Sequence, residues 1–249
     1  MFNKRFIKCI IGAACIFILV ITLIGGKAIL EKKTALEVIN KFFQSNYEYT
    51  KVSSSNYSYS DEDVVYKGKI IYEPYQGIEE YVSGSSIIKT VYTYEEDKKI
   101  YGDTQLELEP GKYTWTKKQI MNKLNSQYVK EELKFKHTGS KKEKGNELEE
   151  YKTSYEYPVF LNDDDAKMYS TINVNYYLDM KNKKVVKITI DDSEYQQDYQ
   201  ILQKMENENI TEDEARKQFI ESNESVKSIT TITVSNIDES MIISQPEEE

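Results

Sequence analysis

The fold class that this sequence predicts is α+β, mainly antiparallel β: a single curved sheet or half-barrel with a few flanking helices, preceded by one N-terminal transmembrane helix. Three observations carry it. From Val64 onward apolar residues recur at every second position, the period of a strand with one face buried. The connections between these runs are short and rich in turn residues, which suits antiparallel neighbours, and neither βαβ crossovers nor internal repeats are seen. Near the N-terminus, 18 uncharged residues from Cys9 to Gly26 lie between Lys8 and Lys27.

That apolar segment comes first in the chain. As a helix it would extend about 27 Å at ~1.5 Å per residue, close to a ~30 Å hydrocarbon core, and its flanking lysines can snorkel to the two interfaces. Gly26-Lys27-Ala28 is a poor cleavage site, so an uncleaved signal-anchor is expected over a cleaved signal peptide. Lys4, Arg5 and Lys8 on one side balance Lys27, Lys32 and Lys33 on the other, so charge does not orient the segment. An anchor after so short a leader usually exports the long part. The expected organisation is a cytoplasmic leader at 1–8, a signal-anchor at 9–26, an extracytoplasmic β-rich domain at 34–240 and a disordered acidic tail at 241–249. The expected location is the cell membrane, single-pass.

Thr34-Ala35-Leu36-Glu37 has the spacing of a capping box, and Leu36, Ile39 and Phe43 then fall on one helical face. Residues 47–60, rich in Ser, Tyr and Asn, read as loop or edge strand. Strand faces follow: Tyr66, Ile70 and Tyr72; Ile88, Tyr92 and Tyr94; Val129, Leu133 and Phe135. The clearest is Met168, Ile172, Val174, Tyr176 and Leu178, paired by a hairpin to Val186, Ile188 and Ile190. Turns are expected at Pro74 to Gly77, at Pro110-Gly111 and across Gly139 to Asn146. Helices are expected around Lys117 to Asn125 and across Glu194 to Asn223, the latter with Tyr195, Tyr199 and Leu202 on one face and a second capping box at Thr211 to Glu214. Val226 to Ile237 returns to strand composition.

Composition excludes several functions. Residues 34–249 hold 27 basic and 41 acidic side chains, a net charge of −14, so phosphate backbones and anionic headgroups are repelled and nucleic acid is not an expected partner. Cys9 and Cys15 both lie in the apolar segment, which leaves the rest of the chain without a thiolate site or disulfide. Only two of the 33 basic residues are Arg, a bias suggesting an AT-rich genome, as in many Gram-positive bacteria.

No catalytic pattern stands out. His137 is the only histidine and reads as a solvated turn residue; Gly84-Ser85-Ser86 lacks the second glycine of a nucleophile elbow. Asn162-Asp163-Asp164-Asp165 lacks the glycine and distal Glu of a calcium loop. Tyr, with 21 copies, recurs as Tyr-x-Tyr at 57/59, 92/94 and 155/157, where paired rings can line a pocket or simply build strands. The residues expected to meet an apolar ligand are Ile70, Tyr72, Tyr92, Tyr94, Ile172, Val174 and Tyr176. No cofactor and no metal ligands are expected.

Gly68-Lys69-Ile70-Ile71-Tyr72-Glu73-Pro74 resembles the strand-to-turn passage of the LolA-like, LppX-like half-barrels. Glu95-Glu96-Asp97-Lys98-Lys99-Ile100-Tyr101 is similar to one of their hairpins, and the stretch from Tyr176 to Ile188 to a later one. The resemblance spans most of residues 34–237. It implies a curved sheet whose concave apolar face receives acyl chains under a helical lid, as in lipoprotein carriers, lipid-binding lipoproteins and envelope-stress sensors. A permanent anchor departs from the shuttling carriers and points to sensing or local lipid handling. The reading that results is a membrane-anchored extracytoplasmic binding domain for a lipid or an envelope protein partner. Two alternatives stand beside it: a carbohydrate- or peptidoglycan-active hydrolase using Asp or Glu, and a structural subunit of a membrane complex.

Overall fold

The computed structural model describes residues 33–56, 63–83, 86–125, 134–143, 145–161, 168–222 and 225–244. The apolar segment at 9–26, the Tyr57/Tyr59 pair, the Asn162 to Asp165 cluster and the acidic end at 245–249 lie outside them. Among the described residues no helix is long and apolar enough to cross a membrane.

A helix at 33–42 (α1) leads into β1 (Tyr47–Ser55), and the meander β2 (Val64–Ile71), β3 (Gln76–Ser83), β4 (Ser86–Glu96), β5 (Lys99–Glu109) and β6 (Lys112–Ile120) follows. The chain resumes with β7 (Lys136–Glu143), β8 (Asn146–Val159), β9 (Met168–Asp179) and β10 (Lys184–Asp191). Two helices, α2 (Ser193–Glu208) and α3 (Glu212–Glu221), precede β11 (Ser228–Ser235). All eleven strands form one open antiparallel sheet in the order β6-β5-β4-β3-β2-β1-β11-β10-β9-β8-β7. The first and last strands therefore meet at the centre and the two meanders run outward from them.

Register defines one continuous face. Tyr49 pairs with Gly68 on one side and Val234 on the other, and two residues along the same face Lys51 heads a row that runs through Ile232, Ile188, Tyr176 and Tyr151. α1 buries Ala35, Val38, Ile39 and Phe42 against this row, making the main core. α2 lies on the same face farther along, with Tyr195, Tyr199 and Leu202 on Val159 and Met168, as the helical spacing predicts. Ile201 turns to Ala215 and Phe219 of α3. Asp198, 4% exposed, ties the three layers together: it accepts from Ser170 of β9 and pairs with Arg216 of α3 at 2.9 Å. The Thr211–Glu214 capping box forms at the start of α3.

Curvature follows from one juxtaposition. Lys51 of β1, Glu79 of β3 and Tyr157 of β8 line the same cavity, although six strand spacings of ~4.8 Å separate β3 from β8 in a flat sheet. The sheet must curl to bring them together.

The structure corrects several local expectations. Residues 47–55 are the central strand of the sheet, not a loop or edge; only Tyr47 and Tyr49 are apolar on the buried face, which continues as Lys51 and Ser53 and so hides the alternation. Lys117 to Asn125 is not helical, since β6 continues to Ile120 and only irregular backbone and a turn follow. Helix-forming Lys and Gln are overridden there by pairing with β5. Gly139 lies within β7, beside a register shift, and the turn is confined to the vicinity of Gly145. A register shift between Val185 and Lys187 leaves Val185, not Val186, in the core. Phe135 packs on Tyr176 just before β7 and is not a strand residue. Both residues of the Asp97-Lys98 turn have positive φ, as a type I′ hairpin requires.

Candidate functional site

The helix-bearing face is filled at both ends and open between. At one end α1 seals Tyr47, Ile70, Tyr176 and Leu178 from solvent; at the other α2 seals Val159 and Met168. Between them lies a cavity of about 580 Å³ bounded by Lys51, Glu79, the stretch Ile120–Asn125 and Tyr157. The stretch leading out of β6 forms its wall because Leu124 N–H donates to Tyr75 Oη at 2.7 Å and Asn125 Nδ2 donates to Tyr47 Oη at 3.4 Å. Gly77 and Gly102 leave room for it: a Cβ on either would strike Leu124 or Met121.

The floor carries an ion pair. Lys51 Nζ is 2.7 Å from Glu79 Oε2, with side chains only 15% and 12% exposed, and Tyr49 Oη donates to the same oxygen at 2.6 Å. The Lys51 ammonium also sits 4.2 Å from the centre of the Tyr66 ring. Burial, with the Glu79 charge adding to it, holds the Tyr49 phenol well above its usual range. This part of the cavity offers a cation, an anion and the amides of Asn122 and Asn125, so it suits a polar group. Removing one partner leaves the other charge without compensation. Lys51→Met is expected to lower unfolding stability by about 2–3 kcal/mol, and Lys51→Met/Glu79→Leu by less than either single change, measured by urea denaturation.

Through Tyr157 the cavity adjoins a second, of about 210 Å³, bounded by Tyr155, Tyr157, Ile172, Ile190, Asp192, Tyr195 and Thr230. Its lining is mostly aromatic and aliphatic. Polar and apolar compartments thus meet on one sheet face.

The seven residues expected at a ligand site separate. Ile172 lines the smaller cavity. Ile70, Val174 and Tyr176 share the same face but are sealed in the core with α1. Tyr72 sits just beyond β2, its N–H donating to Asn46 and the Lys123 ammonium 5.7 Å from its ring. Tyr92 and Tyr94 stack on each other on the opposite face, 5.5 Å apart. Sequence reasoning did not single out Lys51, Glu79 or Tyr195 for the site. Charged residues within a polar-looking strand gave no signal that their strand was central and their face inward.

Among the described residues no group of His, Cys, Asp and Glu is arranged to hold a metal ion. His137 lies in β7, not in a turn, and its Nε2 meets Glu149 Oε2 at 2.6 Å while Ser140 donates to the same carboxylate at 3.0 Å. With the acid between them, the imidazole is not placed to take a proton from that serine. A cavity of about 460 Å³ on the opposite face lies beneath Ile242–Ser244, where Ile243 is 8% exposed. Glu48, Lys67, Lys69 and Glu80 make it a charged surface hollow.

No protein-family model and no curated protein sequence matches this chain. The chain is similar to solved structures. The lipoprotein LppX of Mycobacterium tuberculosis aligns at 10% identity over 86% of this chain and 97% of its own, with a TM-score of 0.46. LprF of Mycobacterium bovis aligns at 10% identity over the same shares, with a TM-score of 0.42. The MucA/MucB complex of Pseudomonas aeruginosa aligns at 10% identity over 63% of this chain and 50% of its own, with a TM-score of 0.33. These likenesses are of general outline.

Proposed function

We propose that this chain is a membrane-anchored binding domain that acts outside the cytoplasm and takes an amphipathic, lipid-like ligand onto the helix-bearing face of its sheet. The observation that carries the reading is the pair of adjoining cavities between α1 and α2, one polar around Lys51 and Glu79, the other apolar around Tyr155 and Ile172. A ligand with a polar end and a hydrocarbon end finds a compartment for each. The segment at 9–26 supplies the tether, since an acidic domain gains nothing from an anionic membrane surface. A tethered domain of this kind suits sensing or local handling of a ligand better than transport between membranes.

The hydrolase alternative finds less support in the same cavity. Glu79 is the one carboxylate among its described lining residues, and it is engaged by Lys51 and Tyr49, whereas glycoside hydrolysis requires two carboxyl groups facing the bond. Native mass spectrometry of the chain expressed in cells is expected to show a co-purifying mass in the lipid range. A clean apo mass, with no thermal shift on adding cellular lipid extract, would contradict the proposal.

A further inference from the structure

We infer that the smaller cavity is a binding site for an organic cation, an alkylated ammonium group. This deepens the ligand reading above and rests on it: the alkyl-bearing end that the smaller cavity receives also carries a positive charge, and a chain that co-purifies with lipid yet shows no preference for a cation would keep that reading and lose this inference.

Three tyrosines line the space, Tyr155, Tyr157 and Tyr195, and the rings of Tyr157 and Tyr195 meet edge to face with centroids 5.8 Å apart. Tyr155 and Tyr157 are two residues apart in β8, so both fall on the same face of the sheet. Aromatic faces are electronegative and attract a cation within about 6 Å of the ring centre. Neutral aromatic walls alone would suit any apolar group; the fourth element is what selects.

That element is Asp192. It immediately precedes α2 at the N-cap position, yet its side chain makes no capping hydrogen bond, so the helix amides do not consume the carboxylate. Oδ2 accepts from Gln196 Nε2 at 2.8 Å, while Oδ1 is buried and has no hydrogen-bond partner. Asp192 is itself among the lining residues, and a purely apolar ligand would leave that carboxylate beside aromatic walls with no counter-charge. An anion would add repulsion. No Lys or Arg is among the lining residues to offset the charge, so a cation is the ligand class that balances it. Ile172 and Ile190 complete the wall and favour alkyl substituents over a bare, strongly hydrated ion. At 210 Å³ the space equals on the order of seven waters at ~30 Å³ each, room for a trimethylammonium group and a short chain.

The test uses the full chain in an uncharged maltoside detergent, titrated by calorimetry with choline and with its uncharged isostere 3,3-dimethylbutan-1-ol. Choline is expected to bind at least about tenfold more tightly than the isostere, a difference of ~1.4 kcal/mol. Asp192→Asn, which keeps a residue suited to a helix N-cap, should abolish most of that preference while leaving the thermal midpoint and the weak binding of the isostere unchanged. Tyr195→Phe should retain the preference and Tyr195→Leu should lose it. Equal affinity for choline and the isostere, or no saturable choline binding in the millimolar range, would overturn the site. Lysophosphatidylcholine distinguishes the source of the cation. Binding at least about tenfold tighter than choline identifies a lipid headgroup, and equal binding a free amine; either ratio requires the site to exist.

Discussion

Above pH 10 the domain is expected to unfold over a narrow interval, its buried tyrosines ionising only as the fold is lost. Tyr47, Tyr49, Tyr75 and Tyr176 are all at most 3% exposed. Burial raises each phenol above its ordinary value of 10; Tyr49 and Tyr75 also face the Glu79 charge, whereas hydrogen bonds with Thr93 and Leu124 partly offset the rise at Tyr75. The sign follows from proton counting. Below pH 10 both folded and unfolded chains keep these protons, so stability is at its full value. As pH rises past 10 the unfolded chain releases them while the folded chain retains them, and stability falls until pH passes the folded values. Each such group contributes a slope of about 1.4 kcal/mol per pH unit, so four together give roughly 5 kcal/mol per unit, comparable to the whole stability of many domains. Absorbance at 295 nm should therefore show these four buried tyrosines ionising together with loss of the far-ultraviolet circular dichroism signal. A single smooth titration of all the tyrosines with the fold intact would show that these rings are not sealed in the core.

Gly68→Val is expected to be the most damaging single substitution near the site. Gly68 lies directly opposite Tyr49 in the β1–β2 pair, and a Cβ there would fall inside the tyrosine ring. The ring covers the glycine, and that position lets its hydroxyl reach Glu79. A valine would expel the ring and break a hydrogen bond to a buried carboxylate, a combined loss of about 3–5 kcal/mol. For a domain of this size that corresponds to a midpoint roughly 10 °C lower. Because the two residues share one space, Tyr49→Leu combined with Gly68→Val should cost clearly less than the sum of the single changes, measured by thermal and urea denaturation. Additive losses would mean that the cross-strand contact is not what holds the glycine.

Period-two alternation was enough to read β2, β4 and the β9–β10 hairpin, helical spacing was enough for α2, and a capping box for the start of α3. What the sequence concealed lies where local pattern and global placement disagree. The strand at 47–55 occupies the middle of the sheet, yet its inward face changes from Tyr47 and Tyr49 to Lys51 and Ser53 as it enters the cavity. A site that must hold a polar group interrupts the apolar row that reveals a strand, so the strand nearest the site was the hardest to see. Tyr92 and Tyr94 illustrate the converse: their Tyr-x-Tyr pairing shows correctly that they share a face, but nothing local says which face carries the helices. Only the register across β2, β3 and β4 decides that, and register is set by long-range pairing. The β6 segment was misread for a related reason, because its Lys and Gln residues suit a helix until β5 lies alongside.

On the proposed function, a lipid-like ligand sits between α1 and α2 on the helix-bearing face. A fatty acid carrying a photoreactive group near its carboxyl end tests this most directly, with cross-linked peptides located by mass spectrometry. Labelling is expected on the stretch 120–125 and on the Tyr155 to Tyr157 segment of β8, and it should be lost on competition with unlabelled lipid. Labelling confined to the opposite face around Tyr92, Tyr94 and Tyr113, or none that unlabelled lipid displaces, would contradict the claim.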